Sequence, residues 1–138
     1  MSRKIIRVGD TASFSKTLTE TDVYNFAGIC GDFNPVHVDK ETAAYSKFGK
    51  QVCHGMLVAS FISTVLGMYL PGPGTIYLTQ TLRWDAPVYI GDTITATVTV
   101  EKKELNIVTL ETIVRNQKKK QVVIGTATVM VSSEDRTE

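Results

Sequence analysis

Hydrophobic and polar residues alternate along the second half of the chain, and this pattern predicts a series of β-strands. From 93 to 100, every second residue is isoleucine, alanine or valine, and the four between them are threonines. This alternation is typical of a strand with one buried and one exposed face. The same reasoning predicts a short strand over 12–18 and longer strands over 75–84, 107–114 and 122–131.

The first half of the chain is expected to be helical and rich in loops. Thr19 followed three residues later by Asp22 resembles a capping box, which marks the start of a helix. Gly28 and Gly31 are expected to end that helix. A second short helix is predicted over 39–45, with its first residue as the N-cap.

The longest apolar run predicts the longest helix, over 56–70, and the residues 71–74 with two prolines and two glycines are expected to end it. The run is shorter than the roughly 20 residues that a bilayer requires, so a buried helix is favoured over a membrane span. Because it is apolar on nearly every face, we expect a sheet or a partner subunit to cover it.

Helices in the first half and strands in the second indicate an α+β fold with an antiparallel sheet. The length of 138 residues fits one domain, 1–138, and the hydrophobic content of 43 % supports a packed core. A net charge of +1 gives no indication of a nucleic-acid partner. No secretion signal is apparent, so we expect a cytoplasmic protein, with an organelle lumen as the alternative. Buried free thiols at Cys30 and Cys53 are favoured over a disulfide between them.

The residues 31–37 bring a carboxylate, an amide and an imidazole together in what reads as a loop, since glycine and proline punctuate it. These three residues are Asp32, Asn34 and His37. A second short stretch places His54 and Gly55 directly before the long apolar helix. The spacings of histidine and cysteine match no zinc pattern, and no glycine-rich phosphate motif is present, so neither a metal nor a cofactor is expected.

This sequence, from Gly31 to His37 and again at His54-Gly55-Met56, resembles the MaoC-like dehydratases and most closely the (R)-specific enoyl-CoA hydratases. The resemblance implies a single hot-dog fold, in which a curved antiparallel β-sheet wraps a long central helix, and at least a homodimer whose sheets join. It also implies reversible syn hydration of trans-2-enoyl-CoA to (R)-3-hydroxyacyl-CoA. By this resemblance, Asp32 and His37 are the catalytic pair and Asn34 helps to shape the site. The backbone N–H of Gly55 binds the thioester oxygen, and Ser63 is the serine that lies near the pair.

The chemistry of these residue types agrees with that activity. A carboxylate and an imidazole that share one water can remove its proton and supply one to C2, and such help is typically worth about 10²–10⁴-fold. The start of a helix exposes N–H groups that can stabilise the charge on the thioester oxygen. Which of the two side chains takes the water proton stays open.

Each residue also has a structural alternative. Asp32 could serve as a turn residue, and His37 or His54 could be a structural histidine, which is the role expected for His54. Ser63 could bond back to the preceding turn of its helix, and Gly55 could be a packing glycine.

Three other functions stay open: a 3-hydroxyacyl-ACP dehydratase, a hot-dog thioesterase, and a non-catalytic acyl-thioester binding subunit. The pathway, fatty-acid breakdown or polyhydroxyalkanoate precursor supply, is equally open. Lysines at 102–103 and 118–120 are available for the CoA phosphates, but the sequence assigns none of them.

Overall fold

The alternating second half of the chain forms the long strands of one antiparallel sheet, as predicted. The computed structural model describes residues 5–132. Its helices and strands are, in chain order, β1 (Thr11–Thr17), α1 (Glu20–Cys30), α2 (Pro35–Val38), α3 (Lys40–Tyr45), α4 (Gly55–Met68), β2 (Ile76–Gln80), β3 (Arg83–Trp84), β4 (Thr93–Glu104), β5 (Ile107–Arg115) and β6 (Gln121–Met130). The strand order is β1-β4-β5-β6-β2, with β3 also paired to β6, so the predicted α+β class is confirmed.

The two faces of β4 differ as the alternation predicted. Ile94 and Val98 point inward and are fully buried. The threonines on the other face pair their hydroxyls with those of β1, as between Ser15 and Thr95 at 2.7 Å. Burial of the aliphatic row stabilises the sheet against α4, and the hydroxyl row satisfies the outer polar groups.

The sheet covers one face of α4. Ile62 and Leu66 are buried where the helix packs against β1, β4 and β5. On the opposite face Met56 and Met68 are exposed. Within a single chain the expected cover therefore reaches only part of the helix. Among the described residues, no helix has the length and apolar content needed to cross a membrane.

Capping determines the bounds of α1 and α3. The predicted capping box is present, because Thr19 Oγ1 accepts the N–H of Asp22 and the Asp22 carboxylate accepts the N–H of Thr19. The helix continues through Gly28 and ends at Gly31, which has a positive φ of 83°. The prediction that Gly28 ends α1 was therefore wrong. Asp39 caps α3 as predicted.

Two segments differ from the predicted pattern. Half of the predicted loop over 32–37 is the short helix α2, since Pro35 occupies its first turn. The predicted strand over 75–84 is divided into β2 and β3. At the division, the carbonyl of Thr81 lies against β6 where residue 125 is glycine.

Strand β2 forms an edge of the sheet, and its apolar residues are exposed on both faces. Ile76, Tyr77 and Leu78 are all exposed in the single chain. The alternation predicted a buried face for this strand, which was wrong for the chain by itself. Natural proteins normally cover or charge such an edge.

Replacement of Gly125 by alanine is expected to destabilise the fold. A Cβ at this position would lie 1.7 Å from the Thr81 carbonyl oxygen, and backbone atoms would have to move. We expect a loss of about 3 kcal/mol or more in the free energy of unfolding, measured by urea denaturation. Gly28→Ala is the matched control, because a Cβ added at this position would meet no atom within 4 Å and alanine favours a helix. Equal free energies of unfolding for the two variants would contradict the close approach of the Thr81 carbonyl to Gly125.

Candidate active site

The side chains of the motif over 31–37 organise their own backbone. Asp32 Oδ1 accepts the N–H of Asn34 at 3.1 Å. Asn34 Oδ1 in turn accepts the N–H of Val36 at 3.3 Å and so caps α2. His37 is carried on that helix and its orientation follows from these turns.

The imidazole of His37 has one nitrogen tied to the backbone and the other directed at a carboxylate. Nδ1 lies 2.7 Å from the carbonyl oxygen of Val52, and because a carbonyl only accepts, Nδ1 carries the proton. In the neutral ring, Nε2 is then unprotonated and lies 3.9 Å from Asp32 Oδ2. The His37 side chain is 12 % exposed and that of Asp32 is 53 % exposed.

The residues 51–54, which we name the clamp segment, hold both members of this pair. Gln51 Nε2 donates to the carbonyl oxygen of His37 at 2.7 Å and to the hydroxyl of Tyr24 at 3.1 Å. His54 Nε2 donates to the carbonyl oxygen of Asp32 at 2.9 Å, and its ring stacks on His37 with centroids 3.9 Å apart. Sequence reasoning missed Gln51, whose position gives no signal, and expected His54 to be merely structural.

The second nitrogen of His54 is buried without a hydrogen-bond partner among the described residues. Asp32, His37 and His54 offer three potential metal-ligand atoms within 4.8 Å of one another. The two imidazoles are stacked at 27°, however, so their lone pairs lie in nearly parallel planes. Since a zinc ion needs both nitrogens at about 2.0–2.1 Å, this arrangement is a poor metal site.

The first turn of α4 offers backbone N–H groups that no side chain caps. His54 occupies the N-cap position, but it makes no capping hydrogen bond. Gly55 follows as the first helical residue, and its carbonyl accepts the indole N–H of Trp84 at 2.9 Å. The Trp84 ring lies so close that a Cβ on Gly55 would come within 2.8 Å of it. Glycine therefore lets the indole ring lie directly against the start of α4, whatever its N–H donates to.

The structure brings some of the predicted residues into one cavity and leaves others outside it. A cavity of about 480 Å³, here named the site cavity, is lined by Asn34, His37 and Gly55. Asp32 is not part of this lining, but its carboxylate faces His37 at 3.9 Å. Ser63 is exposed and lines a different cavity, of about 510 Å³, between α4 and β2. Its expected position near the pair is thus not seen in the single chain.

The two cysteines differ in their surroundings. Both are free, but Cys30 is exposed, so its predicted burial was wrong. Cys53 is buried in the wall of the site cavity, and desolvation, with smaller contributions from Asp92 and Asp22, raises its pKa to about 12. A thiol with that pKa is not a nucleophile at neutral pH.

The chain is similar in sequence to known proteins over most of its length. The family model for the MaoC-like domain matches residues 6–131. The chain belongs to the MaoC-like domain family. It is 50 % identical over 131 residues to an (R)-specific enoyl-CoA hydratase of Rhodospirillum rubrum, an alignment that covers 91 % of this chain and 88 % of that protein.

Two further likenesses extend over most of the chain. It is 41 % identical over 131 residues to an (R)-specific enoyl-CoA hydratase of Aeromonas caviae, which covers 94 % of this chain and 98 % of that one. The R-hydratase PhaJ1 of Pseudomonas aeruginosa in its unliganded form superposes with a TM-score of 0.89 at 43 % identity, covering 91 % of this chain and 82 % of that one. The expected hot-dog fold is confirmed.

Gly55→Ala is expected to displace the Trp84 indole. Trp84 is the single tryptophan of the chain, so its fluorescence reports the displacement directly. We expect a shifted emission maximum in Gly55→Ala and an unchanged one in Gly67→Ala, because a Cβ on Gly67 meets no atom within 4 Å. The same emission maximum in all three proteins would contradict the close contact between Gly55 and the indole.

Proposed function

We propose that this protein is an (R)-specific enoyl-CoA hydratase that adds water reversibly to trans-2-enoyl-CoA. One observation carries the proposal: the unprotonated nitrogen of His37 faces the Asp32 carboxylate at 3.9 Å, beside a cavity that the start of α4 also lines. Relatives named as (R)-specific enoyl-CoA hydratases at 50 % and 41 % identity support the same substrate class.

The separation of the pair suits one water held by both groups. At 3.9 Å the two acceptors are too far apart for a direct hydrogen bond, but a water can donate one hydrogen to each. The water oxygen then attacks C3 of the enoyl group as one member of the pair takes its proton. The pair returns one proton to C2, so the enzyme is unchanged at the end of the cycle. Since both groups lie on one side of the substrate, hydroxyl and hydrogen add to the same face.

The negative charge that develops on the thioester oxygen requires a donor in a fixed position. The N–H of Gly55 lies at the start of α4, where no side chain caps the helix and the positive end of the helix dipole is located. We propose that this N–H holds the thioester oxygen. Removal of one such donor in other enzymes typically lowers the rate by about 10²–10³-fold.

Asn34 and Ser63 have supporting roles in this proposal. Asn34 shapes the site because its side chain caps the helix that carries His37 and also lines the site cavity. Ser60 bonds back to the carbonyl of Leu57, whereas Ser63 makes no such bond in the described structure. We propose that the Ser63 hydroxyl lines the path of the acyl chain between α4 and β2.

Three alternatives would use the same fold. A dehydratase acting on acyl carrier protein would prefer that carrier to CoA, and a thioesterase would release CoA from saturated substrates. A binding subunit would show no turnover, and it has no use for an aligned Asp32 and His37. We propose a cytoplasmic enzyme in fatty-acid metabolism that can also supply polyhydroxyalkanoate precursors. The free, exposed thiol of Cys30 suits a reducing compartment.

We further propose that two copies associate through β2 into a homodimer. Its edge is exposed, and so are Ile76, Tyr77 and Leu78 along it. Pairing of two such edges would satisfy the free backbone groups and join the sheets. Met56, on the neighbouring uncovered face of α4, lines the same cavity as β2 and would become buried with it.

Ile76→Lys is expected to shift this dimer towards monomer, because a charge would enter the paired edge. Sedimentation equilibrium should give about twice the chain mass for the wild type and a lower average mass for the variant. Leu105→Lys is the matched control, since Leu105 is exposed in the turn between β4 and β5, neither of which is the β2 edge strand. A monomeric wild type would contradict the dimer without affecting the proposed chemistry.

Asp32→Asn is expected to lower kcat for crotonyl-CoA by about 10²–10⁴-fold, because an amide can neither take up nor release a proton as a member of the pair. The measurement is loss of enoyl-thioester absorbance, with chiral analysis to identify an (R)-3-hydroxy product. Asp39→Asn serves as the control, since Asp39 only caps α3 and asparagine caps equally well. A folded wild type that hydrates no enoyl-CoA of any length would overturn the proposed function.

A further inference from the structure

We propose that a lysine-lined cavity beside the site cavity binds the phosphate groups of CoA. This inference rests on the proposed function and names the part of the substrate that lies away from the reaction. The cavity, here named the lysine cavity, has a volume of about 510 Å³. Its cationic residues are Lys50, Lys118 and Lys120.

The lysine cavity lies next to the site cavity. Ala86 and Pro87 line both of them, so the two share one wall. A thioester whose oxygen lies at Gly55 can extend its pantetheine arm past this wall. The cavity that Ser63 lines is further along α4, and the acyl chain would lie there. The acyl chain and the CoA phosphates would then occupy different cavities.

The lysines have no acidic partner that would compete with a phosphate. Within residues 5–132, Lys50, Lys118 and Lys120 form no ion pair, and the ammonium of Lys50 lies 4.5 Å from the centre of the Tyr89 ring. Asp92 is the one acidic residue of the lining, and its carboxylate is already hydrogen-bonded. It accepts the side-chain N–H of Gln117 at 2.9 Å and the backbone N–H of Tyr89 at 2.8 Å.

The turn that carries two of the lysines is held in shape by hydrogen bonds. Asn116 Oδ1 accepts the backbone N–H groups of Lys118 at 2.9 Å and Lys120 at 3.1 Å. Gln117 Oε1 accepts the N–H of Thr93 at 3.1 Å, which fixes the turn to the start of β4. An ordered turn holds the backbone of both lysines in place before a ligand binds, which lowers the entropy lost on binding.

The shape of the cavity favours CoA over an acidic carrier protein. A concave cavity with three lysines suits a compact group of phosphates, and CoA carries a pyrophosphate and a 3′-phosphate. A carrier protein would place one phosphodiester near the cavity, and its acidic residues would need a wider basic surface. Crotonyl-CoA and crotonyl-pantetheine therefore separate the phosphate contribution from the chemistry, because only the first carries these groups.

The test is the double variant Lys118→Gln/Lys120→Gln, assayed by enoyl absorbance on both substrates. We expect KM for crotonyl-CoA to rise roughly 3- to 30-fold, as for the loss of two exposed ion pairs, with kcat unchanged. The kcat/KM for crotonyl-pantetheine should stay at the wild-type value. Inhibition by adenosine 3′,5′-bisphosphate should weaken by a similar factor. The double variant Lys40→Gln/Lys102→Gln removes the same charge at two ion pairs elsewhere and should change none of these values.

Four outcomes would overturn the inference. These are an unchanged KM for crotonyl-CoA, an equal rise for both substrates, an equal rise in the control variant, and a loss seen only with a crotonyl-carrier protein. A wild type without hydratase activity would instead overturn the proposed function. In that case, calorimetric titration of both proteins with adenosine 3′,5′-bisphosphate still decides the site: weaker binding by the Lys118/Lys120 variant supports it, and equal or absent binding overturns it.

Discussion

The hydrogen bond from His37 Nδ1 to the carbonyl of Val52 is the interaction on which the rest of the site depends. It fixes the tautomer, so that Nε2 is the nitrogen that faces Asp32. The clamp segment that supplies this carbonyl is itself anchored, because the N–H of Cys53 donates to Val88 at 2.7 Å. A single hydrogen bond has a net value of only about 1 kcal/mol, but a buried donor without a partner costs about 1–3 kcal/mol. Loss of this hydrogen bond would therefore destabilise the fold as well as release the orientation of His37.

The sequence predicted the elements that depend on local pattern. The aliphatic residues of β4, the capping box at Thr19 and the N-cap at Asp39 all follow from neighbours within a few residues. The motif over 31–37 was found for the same reason. Features that depend on contacts between distant residues were missed: the stacking of His54 on His37, the role of Gln51, and the Trp84 ring over Gly55. No spacing rule encodes these contacts, because they join α1, α2, α4 and β3 through the tertiary fold.

The position of Ser63 shows how a family motif can leave geometry undetermined. Eight residues separate it from Gly55, which corresponds to roughly 12 Å along a helix axis and roughly 80° around it. The two residues therefore face different cavities, although they lie on one helix. This separation suits a long substrate, because the thioester can lie at the start of α4 while another part of the molecule follows its side. In the proposed binding mode, the helix would set the direction in which the substrate lies.

The unequal exposure of Asp32 and His37 connects the chemistry to assembly. His37 is nearly enclosed, whereas more than half of the Asp32 side chain is exposed in the single chain. A carboxylate in contact with bulk water is a weaker partner than one in a closed site, because water screens its charge. The apolar residues left uncovered include Phe33, directly after Asp32, and Met56, directly after Gly55. Cover of these side chains by the proposed second copy would remove water from the same region. Association of the two copies would then both bury the apolar face and exclude water from the site of the reaction.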